Sequence, residues 1–151
     1  MVQELNSFTY AEQKGSVKNG EKGHGFSCKL VASANAGDFV KQTSVTGSKV
    51  ITVTPITADT DIIFGVIPYE SSKKNAYVSG DMVTVMQDYS VVVCEASAAI
   101  NGGATVMPVV SGMKVATQTV GKTAIGTALK PASGSGALVE VLIKRPLVLS
   151  T

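Results

Sequence analysis

The end of the chain contains two apolar runs, residues 124–130 and 137–143, separated by a stretch rich in Pro, Gly and Ser. Two such runs joined by turn-forming residues predict a β-hairpin with a longer loop. Side chains alternate along a strand, so one face of the second run is wholly apolar and is expected to face the core. That face consists of Val139, Val141 and Ile143. Gly126, inside the first run, predicts a close approach by a neighbouring layer. A hairpin of this kind needs further strands to cover it.

Strand signals recur at short spacing before this hairpin. The residues are β-branched or apolar and are bounded by Gly, Asn, Asp or Pro, which is typical of short strands in all-β domains. The run at 62–67 is continuous and predicts a strand buried on both faces. The sequence therefore predicts an all-β domain of short antiparallel strands in a closed or nearly closed arrangement. The other predicted strands are 28–32, 39–43, 50–54, 82–86, 90–95, 105–110 and 113–117.

Residues 1–27 differ from the rest of the chain. Gly and Lys alternate there and apolar residues are sparse, with Phe8, Tyr10 and Phe26 as the aromatic exceptions. This composition predicts an extended N-terminal arm of residues 1–27, followed by a β domain of residues 28–151. Two interpretations of the arm stay open: a tail without fixed structure, or a segment that becomes ordered against a neighbouring subunit.

Two turns have related sequences. Gly37-Asp38 and Gly80-Asp81 each follow a small residue and precede a predicted strand, and Asn101-Gly102-Gly103 is a looser third copy. Glycine permits a positive φ, and an Asp side chain can accept hydrogen bonds from nearby backbone amides. The repetition predicts the same turn chemistry at several places in one closed β structure.

Composition limits the possible partners. Only 16% of residues are charged, below the roughly 25% of an ordinary soluble domain. A β surface with so little charge is expected to be covered by sister subunits or by another protein. The net charge of +2 is too small to indicate nucleic-acid binding. No apolar run suggests a membrane span and the first residues show no signal peptide, so synthesis in a cytoplasm with reduced cysteines is expected.

Candidate catalytic groups are few. His24 is the one histidine, and it stands between two glycines, which disfavours a triad built on it. Cys28 and Cys94 are far apart in sequence, so neither a disulfide nor a zinc site is expected. Asp59 and Asp61 could form an acid/base pair, but a polar loop beside a strand is the favoured interpretation. The sequence predicts a protein that is not an enzyme and that binds no cofactor or metal.

Three stretches carry a resemblance to a known family: Gly80-Asp81-Met82-Val83, then Ile125-Gly126-Thr127-Ala128-Leu129, then Gly136 with Val139 and Val141. Over roughly residues 33–143 the chain resembles the small capsid decoration, or structural cement, proteins of tailed bacteriophages. Ile143 stands where the family pattern has Leu, and the arm before Cys28 lies outside the likeness.

The resemblance implies a β-barrel or β-tulip-like domain on the outside of a phage head. Family members reinforce the shell, often as trimers, and catalyse nothing. The implied partners are the major capsid protein and further copies of the chain, and the implied location is the capsid exterior of the virion. Capsid or subunit contacts are expected from the arm and from the apolar C-terminus: Phe8, Tyr10, Leu147, Val148 and Leu149.

Two alternatives accompany this expectation. Residues 147–149 could instead be a short edge strand of the same domain. The protein could also be a carbohydrate- or receptor-binding β module of a phage tail or surface appendage. That alternative predicts a groove with several exposed aromatic side chains, and the small number of Tyr and Phe residues counts against it.

Overall fold

The computed structural model describes residues 13–18, 24–70 and 76–148, with side chains up to Lys144. The secondary structure of these residues is all β, which confirms the predicted class. The strands are β1 (Gly25–Leu30), β2 (Ala34–Asn35), β3 (Phe39–Thr43), β4 (Ile51–Pro55), β5 (Gly65–Val66), β6 (Ala76–Tyr77), β7 (Met82–Met86), β8 (Val91–Glu95), β9 (Thr105–Val109), β10 (Lys114–Thr117), β11 (Thr123–Ala128) and β12 (Leu138–Val148).

The first half of the chain forms a closed barrel in the order β1-β4-β3-β5-β7. All neighbours in it are antiparallel except β1 and β4, which run parallel with Cys28 opposite Ile51. Alternate side chains fill the interior, because successive residues of a strand point to opposite faces. The buried residues of this barrel core are Cys28, Leu30, Ala34, Val40, Val53, Ile67, Val83 and Val85.

The second half forms a five-stranded sheet in the order β10-β9-β11-β12-β8. The predicted hairpin is its β11–β12 pair, and Val139, Val141 and Ile143 are buried as expected. A Cβ on Gly126 would collide with the carbonyl of Leu142, so the predicted close approach is confirmed. The β12 strand runs on to Val148, well past the predicted end.

A second core lies between the barrel and the sheet. The outward side chains of β3, β5 and β7 meet the inner face of the sheet, with Phe39 and Val66 among the former and Val92 and Val141 among the latter. Sheets that pack face to face interdigitate in this way over a layer roughly 10 Å thick. The two halves therefore share one apolar layer.

The run at 62–67 differs from its prediction. Only Gly65 and Val66 pair as a strand, and the Ile62 side chain is exposed. The carboxylate of Asp61 accepts hydrogen bonds from the amides of Thr57 and Ala58, which holds the preceding residues in a loop. Strand pairing therefore begins only at Gly65, and the prediction of a strand buried on both faces is wrong for Ile62.

Two described pieces of the predicted arm contact the rest of the protein. The β1 strand begins at Gly25, and residues 13–18 lie beside β8, where the amide of Gly15 donates to the carbonyl of Val93 over 2.7 Å. The carbonyl of Gly15 accepts from the amide of Tyr69 on the barrel side. Residues 13–18, called the strap below, thus touch both halves. The division into an arm of 1–27 and a domain of 28–151 stays a prediction, since residues 1–12 and 19–23 lie outside the described ranges.

Candidate interaction surfaces

The two Gly-Asp turns have the same geometry. Gly37 has φ of 86° and Gly80 has φ of 96°, in the region that only glycine occupies without strain. In each turn the Asp carboxylate accepts from the backbone amide three residues earlier: Asn35 to Asp38 over 2.8 Å, and Val78 to Asp81 over 2.9 Å. The turn chemistry predicted from the sequence is confirmed at both places.

The strands around these turns also correspond. Gly37 donates to the carbonyl of Ile67 and Asp38 accepts from its amide; Gly80 and Asp81 bond Leu30 in the same two ways. The segments that lead into the turns, β2 and β6, pair with each other, Ala34 against Tyr77. Equivalent residues that pair antiparallel are related by an approximate two-fold axis. The barrel therefore contains two similar units, β1–β3 and β5–β7. Each unit pairs with the other: β1 with β7, and β3 with β5.

The two outer faces of these units have different surroundings. Phe39 on β3 pairs with Val66 on β5, and both side chains are 0% exposed under the five-stranded sheet. The equivalent pair is Met82 on β7 with Lys29 on β1, and here the Met82 side chain is 51% exposed. Val31, two residues after Lys29, and Val78, four residues before Met82, are exposed as well. Lys29, Val31, Val78 and Met82 are called the Met82 patch.

A second apolar area lies at the end of the barrel where β1 begins. The rings of Phe26 and Phe64 meet edge to face with centroids 6.2 Å apart, and Phe26 is 43% exposed. The side-chain amide of Gln87 donates from Nε2 to the carbonyl of Phe64 over 2.9 Å, which fixes the backbone there. Edge-to-face pairs are stabilised beyond their buried area. This pair is called the aromatic mouth.

The interface residues predicted from the sequence are placed only in part. Leu147 and Val148 lie on β12, where their backbones pair with Ala124 and Thr123 of β11. They belong to the five-stranded sheet and extend beyond the last β12–β8 pair, Leu142 with Val91. Phe8, Tyr10 and Leu149 lie outside the described residues, so the interface formed by this set stays a prediction.

The polar groups considered for catalysis have separate structural partners. His24 Nδ1 lies 2.9 Å from the carbonyl of Asp88. Asp59 accepts from the amide of Val110 over 2.8 Å, and Asp61 accepts from Lys41 Nζ over 2.9 Å. In the part of the chain that the structure describes, no three His, Cys, Asp or Glu residues are grouped so that they could hold a metal ion.

Burial determines the ionisation of several of these groups. Desolvation raises the pKa of the Cys94 thiol to about 12 and also raises the pKa of Cys28. It raises the pKa of the Asp38 carboxyl too, although Asn35 and Lys14 favour the charged form. For Asp61 burial alone would raise the pKa, but hydrogen bonds from Thr57, Lys41 and Ala58 lower it overall. Such thiols are poor nucleophiles, and these carboxyls serve the loops that contain them.

Comparison with known proteins finds a likeness in structure. The head fiber gp8.5 N base of bacteriophage phi29 aligns with 85% of this chain and 99% of its own, with a TM-score of 0.57 and 18% sequence identity. The two proteins share a fold. No family model and no curated protein matches the chain. Among the described residues there is also no helix long and apolar enough to cross a membrane.

The surfaces found in the structure were not the ones expected from the sequence. The aromatic mouth combines a residue of the predicted arm with one from a predicted buried strand. The Met82 patch follows from a comparison of two equivalent strand pairs, which requires their registers. The one available signal was the repetition of Gly-Asp before Phe39 and Met82. That repetition indicates that these two positions are equivalent, although it does not show which of them is covered.

Proposed function

We propose that this protein is a structural protein of a phage head, a capsid decoration or cement protein that binds the outer surface of the shell and stabilises it by bridging capsomers. The single observation that carries the proposal is the fold shared along 85% of the chain with a phage head fiber base. The family resemblance of the Gly80-to-Val83 and Ile125-to-Leu129 stretches supports the same class of protein. The proposal includes the major capsid protein as partner and a location on the capsid exterior. It also includes a homo-oligomer, a trimer as the family resemblance implies.

The described surface suits attachment at many weak sites. The aromatic mouth and the Met82 patch are small apolar areas on a protein with little charge. Contacts of this size give modest affinity singly, but repetition over a symmetric shell converts modest affinity into strong avidity. Bridging requires each subunit or oligomer to touch two capsomers, and the residues ahead of the strap, Phe8 and Tyr10 among them, are proposed as one of the two contacts.

The proposed shell contact of the residues ahead of the strap can be tested by a deletion that ends before the strap. Removing residues 1–27 would cut into β1 at Gly25 and would delete the bonds of Gly15 to Val93 and Tyr69. Removing residues 1–12 leaves all of these in place. We expect the shortened protein to keep its thermal unfolding midpoint and to bind undecorated shells at least about tenfold more weakly in co-sedimentation.

The control for the deletion is Val120→Ser, a change at a side chain that is 71% exposed on the five-stranded sheet half. It should bind like the unaltered protein. Full binding by the chain that lacks residues 1–12 would reject the role of the arm. Failure of the unaltered protein to bind undecorated shells at concentrations up to about 100 μM would reject the proposal as a whole.

A second candidate function is a carbohydrate- or receptor-binding module of a phage tail or surface appendage. The aromatic mouth favours it, because an exposed ring beside a second ring is a stacking platform for a sugar. Glycan-array binding that Phe26→Ala removes would support this function. Shell binding that survives Phe26→Ala, with no glycan bound, would support the decoration function.

A further inference from the structure

The barrel has two equivalent outer faces, and only one of them is covered within the chain. The Phe39–Val66 pair lies under the five-stranded sheet, whereas the equivalent Met82–Lys29 pair faces solvent. We propose that the Met82 patch is a self-association surface, occupied by the same patch of a second copy of this chain. The inference deepens the proposed function, which includes a homo-oligomer. It rests on that function for what the assembly does, whereas the self-association itself is argued from the patch.

The covered face shows what kind of layer fits this geometry. Phe39 and Val66 are 0% exposed and belong to one buried apolar cluster with side chains of β8 and β12. The open face also offers apolar side chains, because Val31 and Val78 are exposed as well as Met82. The backbone connects them: Leu30, next to Val31, bonds Gly80 and Asp81, and Asp81 donates to the carbonyl of Val78. Exposed apolar side chains that paired backbones bring to one region of the surface mark interaction sites.

The charges of the patch select a second copy as the occupant. Lys29 lies on one side of Met82, and within the described ranges no carboxylate forms an ion pair with it. Asp81 directly precedes Met82 and uses one carboxylate oxygen, Oδ2, for the amide of Val78. Copies related by a rotation axis can present the same patch to one another around that axis. Lys29 of each copy then faces Asp81 of the next, while the Met82 side chains meet at the centre.

A wholly apolar partner would fit this patch less well. It would remove Lys29 from water without supplying a carboxylate, and an unpaired desolvated charge is costly. The self-complementary arrangement pairs this charge and buries the three apolar side chains together. Aliphatic and Met side chains at the centre with charges at the rim are the usual anatomy of a protein interface.

The experiment is a measurement of solution mass for the full chain over a concentration series from about 1 to 100 μM, where interfaces of standard size associate. The unaltered protein should form a dimer or trimer. Met82→Asp should weaken association at least about tenfold, and Val78→Asp should do the same. Val120→Asp, at a more exposed apolar side chain on the other half of the protein, is the matched control and should leave the mass unchanged.

A charge series tests the pairing of Lys29 with Asp81. Lys29→Glu should weaken association, because it brings like charges together, whereas Lys29→Arg should not. Unchanged thermal unfolding midpoints show that each variant is folded; if Met82→Asp does not fold, Val78→Asp decides the question.

Three results would overturn the inference: a monomer at every concentration, association unaffected by Met82→Asp and Val78→Asp, or equal weakening by Val120→Asp. A monomer whose shell binding is lost in Met82→Asp would assign the patch to the shell and also overturn it. Self-association through the patch without any shell binding would leave the inference standing and reject the proposed function, so the two can fail separately.

Discussion

The carboxylate of Asp59 accepts a hydrogen bond of 2.8 Å from the amide of Val110 and thereby joins the barrel to the five-stranded sheet. Asp59 lies in the loop after β4, and Val110 follows β9. A half-buried amide that loses its acceptor still carries the cost of its desolvation. Loss of this bond therefore lowers the free energy of unfolding by more than a bond between exposed groups would.

Replacement of Asp59 tests this link. Asp59→Ala should lower the free energy of unfolding by about 1–3 kcal/mol, because the Val110 amide is left without its acceptor. Asp59→Asn keeps an oxygen in the same place and should lose less. Urea unfolding followed by far-ultraviolet circular dichroism measures both. Equal losses for the two variants would contradict the assigned role of the carboxylate oxygen.

The contact at Gly126 predicts a larger effect. A Cβ there would collide with the backbone carbonyl of Leu142, which cannot move without breaking the β11–β12 ladder. We expect Gly126→Ala to destabilise the protein by at least about 2 kcal/mol, at the upper end of overpacking costs. Gly134→Ala is the control, since nothing lies within 4 Å of its added Cβ. A thermal midpoint for Gly126→Ala equal to that of Gly134→Ala would be inconsistent with this contact.

The cysteines should be unreactive in the folded protein. A pKa of about 12 leaves on the order of one Cys94 thiol in 10⁴ ionised at pH 8, and the thiolate is the reactive form. Cys28 is equally inaccessible and its pKa is also raised by burial. We expect no labelling by a thiol reagent within minutes under native conditions and labelling of both cysteines in denaturant. Rapid native labelling of Cys94 would show that the core opens readily.

Asp61 makes stability depend on pH. Its folded pKa is lowered, because hydrogen bonds from Thr57, Lys41 and Ala58 outweigh burial, which acts in the opposite direction. The unfolded state therefore binds the proton more tightly than the folded state, and the contribution of Asp61 is present above about pH 4 and is lost as the pH falls through the folded pKa.

Urea unfolding between about pH 2 and pH 7 measures this contribution. The unaltered protein should be more stable than Asp61→Asn near neutral pH, and the difference should shrink as the solution is acidified. A difference that stayed constant over this range would mean that ionisation of Asp61 does not contribute.

The local pattern of the sequence predicts much of this fold. Val139, Val141 and Ile143 alternate with more polar positions, so their burial follows from strand periodicity alone. Gly37-Asp38 and Gly80-Asp81 predict their own hydrogen bonds, because a short carboxylate beside a glycine turn bonds the nearest amides. These features depend on residues close together in the chain.

Long-range arrangement is what the sequence does not predict. The parallel pairing of β1 with β4 depends on the closure of the whole barrel, and the exposure of Ile62 depends on hydrogen bonds made by Asp61. The position of the strap depends on Val93 and Tyr69, which are remote in sequence from Gly15. The same limitation applies to the candidate surfaces, since the difference between Phe39 and Met82 comes from what lies above each strand.

The strap has a mechanical consequence for a protein that is anchored through its first residues. Tension applied ahead of Gln13 reaches the sheet through the Gly15–Val93 bond and the barrel through the Gly15–Tyr69 bond at the same point of the chain. Both halves are therefore pulled together, and the seam between them is not the first element to be strained. Under the proposed attachment, expansion of the shell would therefore load the barrel and the sheet at the same time.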